Sequence, residues 1–206
     1  MDSGSGVMDE VLLDLGSVRL PLDSERVFGR PCPLELEIGA GKGRFLLDWA
    51  EAHPERGFVA VERARKYLTL AAVRAARRGL GNVRLIHTTA EDLLFRCLAA
   101  GSVACVHVYF PDPWPKKRHH KRRLFNATNV GRIADVLVPG GMLRVKTDHA
   151  GYAEVIGELL AAEPLLERVE EEAAFAGVPP TSFEVKYEKE SRPAFRWAFR
   201  RAGGVG

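Results

Sequence analysis

The residues with the greatest chemical potential form one short stretch, residues 110–123, which reads FPDPWPKKRHHKRR. One acid, Asp112, stands among three prolines and Trp114, and six Lys or Arg residues follow within residues 116–123. An acid just after an apolar run can position or stabilise a reacting group, and a dense block of cations can neutralise several phosphates. The stretch therefore predicts a reactive loop joined to a binding surface for a polyanion.

A second group of chemically capable residues surrounds a glycine-rich turn. Gly39, Gly41 and Gly43 follow an apolar run, and glycines let a backbone turn sharply and approach a ligand at a helix N-terminus. A dinucleotide site would have its third glycine one residue later, where this chain has Arg44. The spacing G-x-G-x-G favours S-adenosylmethionine over NAD.

Two acids strengthen this interpretation of the turn. Glu37 would repel a diphosphate, whereas it would attract the sulfonium and the amino group of S-adenosylmethionine. Glu62 ends the next apolar run, and an acid there can accept hydrogen bonds from both hydroxyls of an adenosine ribose. A glycine turn alone is a weak signal, since many such turns bind nothing, but the two acids favour a cofactor site.

The basic and aromatic residues also have purely structural explanations. A run of Lys and Arg is often only a solvated face, although this one follows the end of a predicted central strand, where such sheets bind ligands. Trp114 could stack on a base or could anchor the loop, and the sequence leaves both explanations open.

The elements that must position these residues alternate between strands and helices. Apolar runs predict strands at residues 34–38, 57–61, 83–87, 103–110, 142–147, 165–169 and 195–200. Helical spacing of apolar residues predicts the intervening helices, including one over 91–98 and one that contains Leu137 and ends at residues 139–141. The alternation predicts a doubly wound α/β sheet.

The chain has 206 residues, and its length and composition predict a single soluble domain. We expect a single main domain over residues 31–202, a partly disordered extension over 1–30 and a flexible tail over 203–206. No apolar run is long enough to cross a bilayer, and the first residues lack a secretory signal, so we expect a cytoplasmic protein without a membrane partner.

The positive charge is local rather than general. The chain has 30 Lys and Arg against 27 acids, and without the six cations of residues 116–123 the balance is 24 against 27. A localised patch of this kind indicates a polyanionic partner.

Cys32, Cys97 and Cys105 form no ligand pattern and the six His show no zinc spacing, so we expect reduced, mostly buried thiols and no metal.

Residues 110–123 closely resemble the signature of the bacterial tRNA (guanine-N7-)-methyltransferases. The resemblance continues, in order, with an LEIG-x-G-x-G turn at 36–43, K-T-D at 146–148, T-x-[YF]-E at 181–184 and P-[IA]-[YF]-R at 193–196. It implies a Rossmann-like class I fold with a mostly parallel seven-stranded sheet and an antiparallel last strand. It also implies methyl transfer from S-adenosylmethionine to N7 of guanine 46 in the tRNA variable loop.

The same resemblance implies roles for individual residues, with Asp112 as the catalytic acid. The residues that would bind the cofactor are Glu37, Gly39, Gly41, Gly43, Glu62, Thr89, Ala90, Glu91 and Asp112. Those that would contact the substrate nucleotide are Lys116, Asp148, Thr181, Ser182, Phe183 and Glu184. Those that would lie on the tRNA are Arg118, His119, His120, Lys121, Arg122 and Arg123.

Two positions depart from the family pattern. Thr89 stands where members often carry an Asp near the adenine, so that contact could fall to Ala90 or Glu91. Ser191 and Arg192 stand before Pro193 where members usually have a glycine, so the local turn could differ.

Guanine N7 has a lone pair and no proton, so its methylation needs in-line placement rather than a base. Asp112 could stabilise the charge that develops on the ring, or accept hydrogen bonds from guanine N1–H and the exocyclic amine.

Three alternatives compete with this function: a methyltransferase of this fold acting on another RNA base, a non-catalytic RNA-binding module, and an NAD enzyme. The expected assembly is a monomer or a homodimer.

Overall fold

The structure is a computed structural model that describes residues 10–203. Residues 1–9 of the expected partly disordered extension and most of the expected flexible tail lie outside the described residues. Within residues 10–203, no helix combines the length and the apolar composition that a bilayer crossing requires.

A seven-stranded sheet forms the centre of the described chain. Its strands are β1 (Leu34–Ile38), β2 (Gly57–Val61), β3 (Val83–Ile86), β4 (Val103–Tyr109), β5 (Leu137–Thr147), β6 (Leu166–Arg168) and β7 (Phe195–Arg201). The spatial order is β3-β2-β1-β4-β5-β7-β6, and β7 runs antiparallel to both of its neighbours while β1 to β5 are parallel. The predicted mostly parallel sheet with an antiparallel last strand is confirmed.

Helices cover both faces of this sheet. They are α1 (Ser24–Phe28), α2 (Arg44–Ala52), α3 (Arg65–Arg77), α4 (Ala90–Asp92), α5 (Ala127–Val136), α6 (Ala150–Ala162), α7 (Glu171–Phe175) and α8 (Ser182–Lys189). One apolar cluster joins α2 and α3 to one face through residues such as Phe45 and Leu68, and a second joins α5 and α6 to the other through residues such as Ile133 and Ile156. Strands β1 to β4 are therefore buried on both faces, which explains their continuous apolar runs, whereas β6 and β7 keep exposed residues.

The strand order fixes where a ligand can bind. From β1 the chain moves outward to β2 and β3, then returns to β4 on the other side of β1. The connections at the carboxyl ends of β1 and β4 therefore diverge and leave a crevice between them. Both stretches with chemical potential, the glycine turn after β1 and residues 110–123 after β4, lie at this crevice.

The structure differs from the predicted elements in two places. Helix α5 ends at Val136, so Leu137 lies in β5 and the prediction that it belongs to the helix is wrong. Leu137 pairs with Val103 and Met142 with Cys105, so residues 138–141 bulge out of the ladder, and Gly140 with φ +79° permits the bend. The predicted helix over 91–98 is α4 followed by a π-helical turn, Leu93–Cys97.

The described part of the N-terminal extension, residues 10–30, packs against the sheet. Leu12 forms a bridge with Leu85, Leu22 forms one with Leu98, and Leu22 is completely buried.

The three thiols are free, with Cys97 and Cys105 buried and Cys32 partly exposed, which confirms the expectation of mostly buried thiols.

Candidate active site

The turn after β1 forms an open cradle lined by backbone. Gly39, Gly41 and Gly43 have φ values of 83°, 53° and 77°, a left-handed conformation that side chains disfavour. A Cβ at Gly39 or Gly41 would meet nothing within 4 Å, whereas one at Gly43 would approach Ala71 Cβ to 2.9 Å. Gly39 and Gly41 thus border free space, and Gly43 is required for the close packing of α2 against α3.

The Glu37 carboxylate is buried beside this cradle and lacks a complete set of partners. The side chain is 5% exposed, and its Oε2 has no hydrogen-bond partner among residues 10–203. Burial, together with repulsion from Glu62, raises the pKa of Glu37 to about 8. A buried carboxyl group without a partner is costly, so this position suits a ligand that brings a positive charge or a hydrogen-bond donor.

Glu62 braces the cradle from the end of β2. Its Oε2 accepts a hydrogen bond from Gly41 N at 2.8 Å, and its Oε1 accepts one from Ala64 N at 2.7 Å. Each carboxylate oxygen has two lone pairs, so Glu62 can still accept hydrogen bonds from ribose hydroxyls while it holds the turn.

The three residues predicted near the adenine follow β3 directly at the same edge. Thr89 caps α4, with its Oγ1 accepting a hydrogen bond from Asp92 N at 3.1 Å. Ala90 packs against the core, and Glu91 is exposed. Because the Thr89 hydroxyl is already used as a cap, Glu91 offers the free carboxylate in this segment.

The loop after β4 is strained on either side of Asp112. Phe110 and Trp114 have φ values of 55° and 42°, which non-glycine residues rarely adopt. Phe110 N donates to Lys146 O at 2.8 Å, so the β4–β5 ladder holds the start of the loop. Asp112 is exposed, and its carboxylate forms no hydrogen bond within residues 10–203. Strain of this kind often marks a functional site.

Trp114 is packed by its own segment. The Arg122 guanidinium lies 5.0 Å from the centre of the indole ring, and the His119 ring meets it edge-on at 5.7 Å. Of the two explanations left open by the sequence, these contacts favour an anchor for the loop over a stacking surface for a base.

The basic segment forms a 3-10 helix, Lys117–Arg122, without a buried side chain. Arg123, which follows it, is engaged inside the protein: its Nε donates to Pro113 O at 2.8 Å and its guanidinium lies 4.6 Å from the centre of the Tyr152 ring. The exposed members of the predicted binding sets here are Lys116, Arg118, His120, Lys121 and Arg122.

Lys146, in β5, ties the T-x-[YF]-E segment to the sheet. It is 6% exposed, its Nζ lies 2.6 Å from Glu184 Oε1, and the rings of Tyr109 and Phe175 flank it at 5.0 and 4.9 Å. The other oxygen of Glu184 accepts from Thr181 N at 2.8 Å in a capping box that begins α8. Thr181 and Glu184, predicted to contact substrate, therefore fix α8 beside the crevice.

A second connection joins α8 to the end of β5. Arg192 forms an ion pair with Asp148 at 2.8 Å and lies 4.5 Å from the centre of the Tyr187 ring. Burial and the nearby Asp148 carboxylate raise the pKa of the Tyr187 phenol. Ser191 has φ 52°, so it adopts the left-handed conformation that glycine accepts more readily than other residues.

An aromatic cluster stands where α8 meets the strained loop. The rings of Phe110, Phe183 and Tyr187 lie 5.4 to 5.8 Å apart, and Phe183 is 49% exposed. Phe183 thus contacts Phe110, which lies two residues before Asp112, and its exposed portion is available to a planar ligand. Ser182, its neighbour, is exposed at the start of the helix.

The structure brings most predicted site residues to one edge of the sheet. Glu37 in β1, Asp112 after β4 and Asp148 after β5 lie at the carboxyl ends of adjacent parallel strands. Sequence reasoning missed Lys146, Tyr187 and Arg192 as site residues. Of these three residues, Lys146 was the one with a signal in the sequence, because it is a charged residue inside the apolar run of β5.

The fold is that of class I S-adenosylmethionine-dependent methyltransferases. The aminoglycoside resistance methyltransferase NpmB1 matches with a TM-score of 0.56 and 22% identity, covering 82% of this chain and 87% of that one. The 16S rRNA methyltransferase KamB matches with a TM-score of 0.60 and 18% identity, covering 86% and 92%. At these identities the likeness shows the shared fold alone.

Sequence comparisons identify the family. A family model described as "Putative methyltransferase" matches residues 31–197. A tRNA (guanine-N(7)-)-methyltransferase of Mycobacterium avium is 44% identical over 81% of this chain and 65% of its own length. One of Alkalilimnicola ehrlichii is 40% identical over 88% of this chain and 78% of its own length.

The chain belongs to the tRNA (guanine-N7-)-methyltransferase family. It spans 65% of the length of the Mycobacterium avium relative and 54% of that of a Nocardia farcinica relative, which is 47% identical.

Proposed function

We propose that this chain transfers a methyl group from S-adenosylmethionine to N7 of a guanine in tRNA, at position 46 of the variable loop. The observation that carries this proposal is the buried Glu37 carboxyl group beside the open glycine cradle, facing the crevice that the Asp112 loop borders. The names of the relatives support guanine N7 as the acceptor, because those proteins are tRNA (guanine-N(7)-)-methyltransferases.

The residues present fit the cofactor. Glu37 would hold the positively charged methionine end, and Gly39 and Gly41 leave room for it to approach the backbone. Glu62 would accept hydrogen bonds from the ribose hydroxyls, with Glu91 and Ala90 on the adenine side. When bound, S-adenosylmethionine supplies a methyl group on a cationic sulfur that leaves as a neutral thioether.

The chain's own residues would orient the guanine. Asp112 can accept hydrogen bonds from N1–H and the exocyclic amine, which selects guanine and offsets the positive charge that the ring acquires when the N7–methyl bond forms. Phe183 offers an exposed aromatic face beside it, and the Lys146–Glu184 pair fixes the helix that carries Phe183. Proton removal is not needed, because N7 attacks with its own lone pair.

The exposed cations of the basic segment would hold the tRNA backbone. Lys116, Arg118 and Lys121 are free to contact phosphates, while Arg122 and Arg123 would stiffen the segment through Trp114 and Pro113. This division places the docking surface directly after the strained loop that carries Asp112.

Methyl transfer to an unmodified tRNA transcript tests the proposal. With labelled S-adenosylmethionine, we expect the label in 7-methylguanosine after nucleoside digestion, and we expect a transcript with adenine at position 46 to remain unlabelled. Asp112→Ala should lower kcat by about 100-fold or more, since it removes an interaction made with the reacting ring. Label in another nucleoside, or turnover by Asp112→Ala at the wild-type rate, would contradict these assignments.

A further inference from the structure

A second basic surface lies on α3 and the glycine turn, apart from residues 116–123. Between Glu62 and Glu91 the chain carries seven Lys or Arg residues and no acid. The exposed cations of this region, here called the α3 basic surface, are Lys42, Arg44, Arg63, Arg65, Lys66, Arg74 and Arg77. The apolar side of α3 is buried against the sheet, so its cations project from the opposite side.

The cations of this surface are not used in ion pairs. Among residues 10–203, none of them lies within 4.0 Å of a carboxylate oxygen, whereas the neighbouring Arg78 pairs with both Asp48 and Glu51. Arg74 donates only to the carbonyl of Lys42, at 3.0 Å. Their positive charge is therefore available to a partner.

The charges at the start of α3 do not favour the helix itself. Arg65 and Lys66 occupy the first turn of α3, which contains no acid, at the end where the helix dipole repels cations. Arg74 and Arg77 lie in the last turn, where the helix dipole favours cations, although they are three residues apart, a spacing at which like charges repel each other. Helix stability therefore does not account for Arg65 and Lys66, and an anionic ligand is the better explanation for these two cations.

The surface adjoins the candidate active site on the side away from residues 116–123. Arg63 follows Glu62 directly, and its carbonyl oxygen lies 3.1 Å from His87 Nε2 at the end of β3. β2 and β4 flank β1 on opposite sides, so the two basic regions flank the glycine turn. Tyr67 is 41% exposed among the cations, with Lys42 Nζ 5.9 Å from its ring centre, a combination typical of nucleic-acid surfaces.

We propose that the α3 basic surface is a second docking surface for the RNA backbone, so that the substrate RNA contacts the protein on both sides of the crevice. RNA is the occupant that charge and position favour, because unpaired cations beside the reaction site match a polyanion that must reach that site. The identity of this RNA as tRNA rests on the proposed function.

A charge-neutral variant of α3 tests the proposal. We expect Arg65→Gln/Lys66→Gln/Arg77→Gln to reduce the slope of log affinity for tRNA against log salt by about 2 to 3, since each lost phosphate contact removes about 0.7 to 0.9. KM for tRNA should rise while kcat and S-adenosylmethionine affinity stay at wild-type values.

The matched control is Arg26→Gln/Arg168→Gln/Arg200→Gln, which makes the same change in net charge. Its cations are already paired with Asp23, Glu171 and Glu167, so the salt slope should stay near that of the wild type. Melting temperatures of both variants report whether the fold is intact.

Two results would overturn the proposal. One is a salt slope for the α3 variant equal to that of the control. The other is an unchanged tRNA affinity combined with a loss of binding to phosphatidylglycerol vesicles, which would assign the surface to lipid. The proposed function fails separately: a wild-type protein that binds tRNA with this α3 dependence but transfers no methyl group would keep the docking surface and lose the activity.

Discussion

Two glutamates in β1 occupy opposite environments although they are two residues apart on one face of the sheet. Burial alone would raise the pKa of Glu35, but hydrogen bonds from His107, Arg56 and Trp49 outweigh it and lower that pKa to about 2. Glu37 is equally enclosed and its Oε2 has no partner among the described residues, so burial and Glu62 raise its pKa to about 8.

The difference separates a structural acid from a binding acid. Glu35 lies in the middle of the strand, where every partner comes from the protein and is permanent. Glu37 lies at the carboxyl end, where a parallel sheet of this kind binds its ligands. A buried carboxyl group left unsatisfied at that end is best explained by a partner that arrives with the cofactor.

The largest expected effect is on stability, through Glu35. Glu35→Ala leaves the buried His107 ring and the Arg56 guanidinium without their carboxylate, so we expect unfolding free energy to fall by about 3 to 5 kcal/mol in urea titrations. Glu37→Gln should cause no such loss, because it removes a carboxyl group whose partners are incomplete. Equal losses in the two variants would remove the distinction between the two acids.

The next effect is on cofactor binding, through Glu37. Glu37→Gln removes the negative charge but keeps the shape, so we expect affinity for S-adenosylmethionine, measured by calorimetry, to weaken by at least about 2 kcal/mol. The melting temperature without ligand is the control and should not fall. Wild-type affinity in this variant would show that the cofactor's positive charge lies elsewhere.

The two acids should also give opposite dependences of stability on pH. The folded pKa of Glu37 lies above its unfolded value, so the folded state holds the extra proton and stability falls as pH rises from about 4.5 to about 8, by at most about 1.4 kcal/mol per unit. The folded pKa of Glu35 is depressed, so its contribution is complete above about 4.5 and is lost as pH falls towards 2. The free energy of unfolding, measured in urea between pH 5 and 8, should change less with pH for Glu37→Gln than for the wild type. Parallel curves of this free energy against pH would disprove the assignment.

The smallest effect concerns a third acid, Glu184, whose partners are complete although it lies at the edge of the crevice. Lys146→Met removes its ion pair but leaves its carboxylate within reach of water, so we expect a stability loss of about 1 kcal/mol. KM for tRNA should rise while cofactor affinity is unchanged. Lys186→Met, which removes an exposed pair with Glu190, is the matched control, and an equal KM effect there would exclude a specific role for Lys146.

The positions of the strands were predicted from the sequence more accurately than those of the helices near the C-terminus of the chain. The strands are continuous apolar runs, and their periodicity is local information. Helix α8 was missed because Phe183, Val185 and Tyr187 alternate with polar residues as in a strand, while the Thr181–Glu184 capping box determines the helix. The start of β5 was misplaced because Pro139 and the glycines after it resemble a helix end but form a bulge within a strand.

The candidate site was predictable where it depends on residues close in sequence. The glycine turn, Glu37 and the Asp112 loop are each short patterns with a chemical meaning. The partners that distinguish Glu35 from Glu37 are distant, since His107 is 72 residues from Glu35 in the chain. The Lys146–Glu184 pair spans 38 residues, so only the folded sheet brings such groups together.

Proton release on cofactor binding tests the central claim, that Glu37 awaits the positive charge of S-adenosylmethionine, most directly. At pH 7 the free protein holds a proton on Glu37, and binding of the cation should expel it. Calorimetric titrations in two buffers of different ionisation enthalpy should report release of about one proton by the wild type and none by Glu37→Gln. Wild-type binding without proton release would contradict the claim.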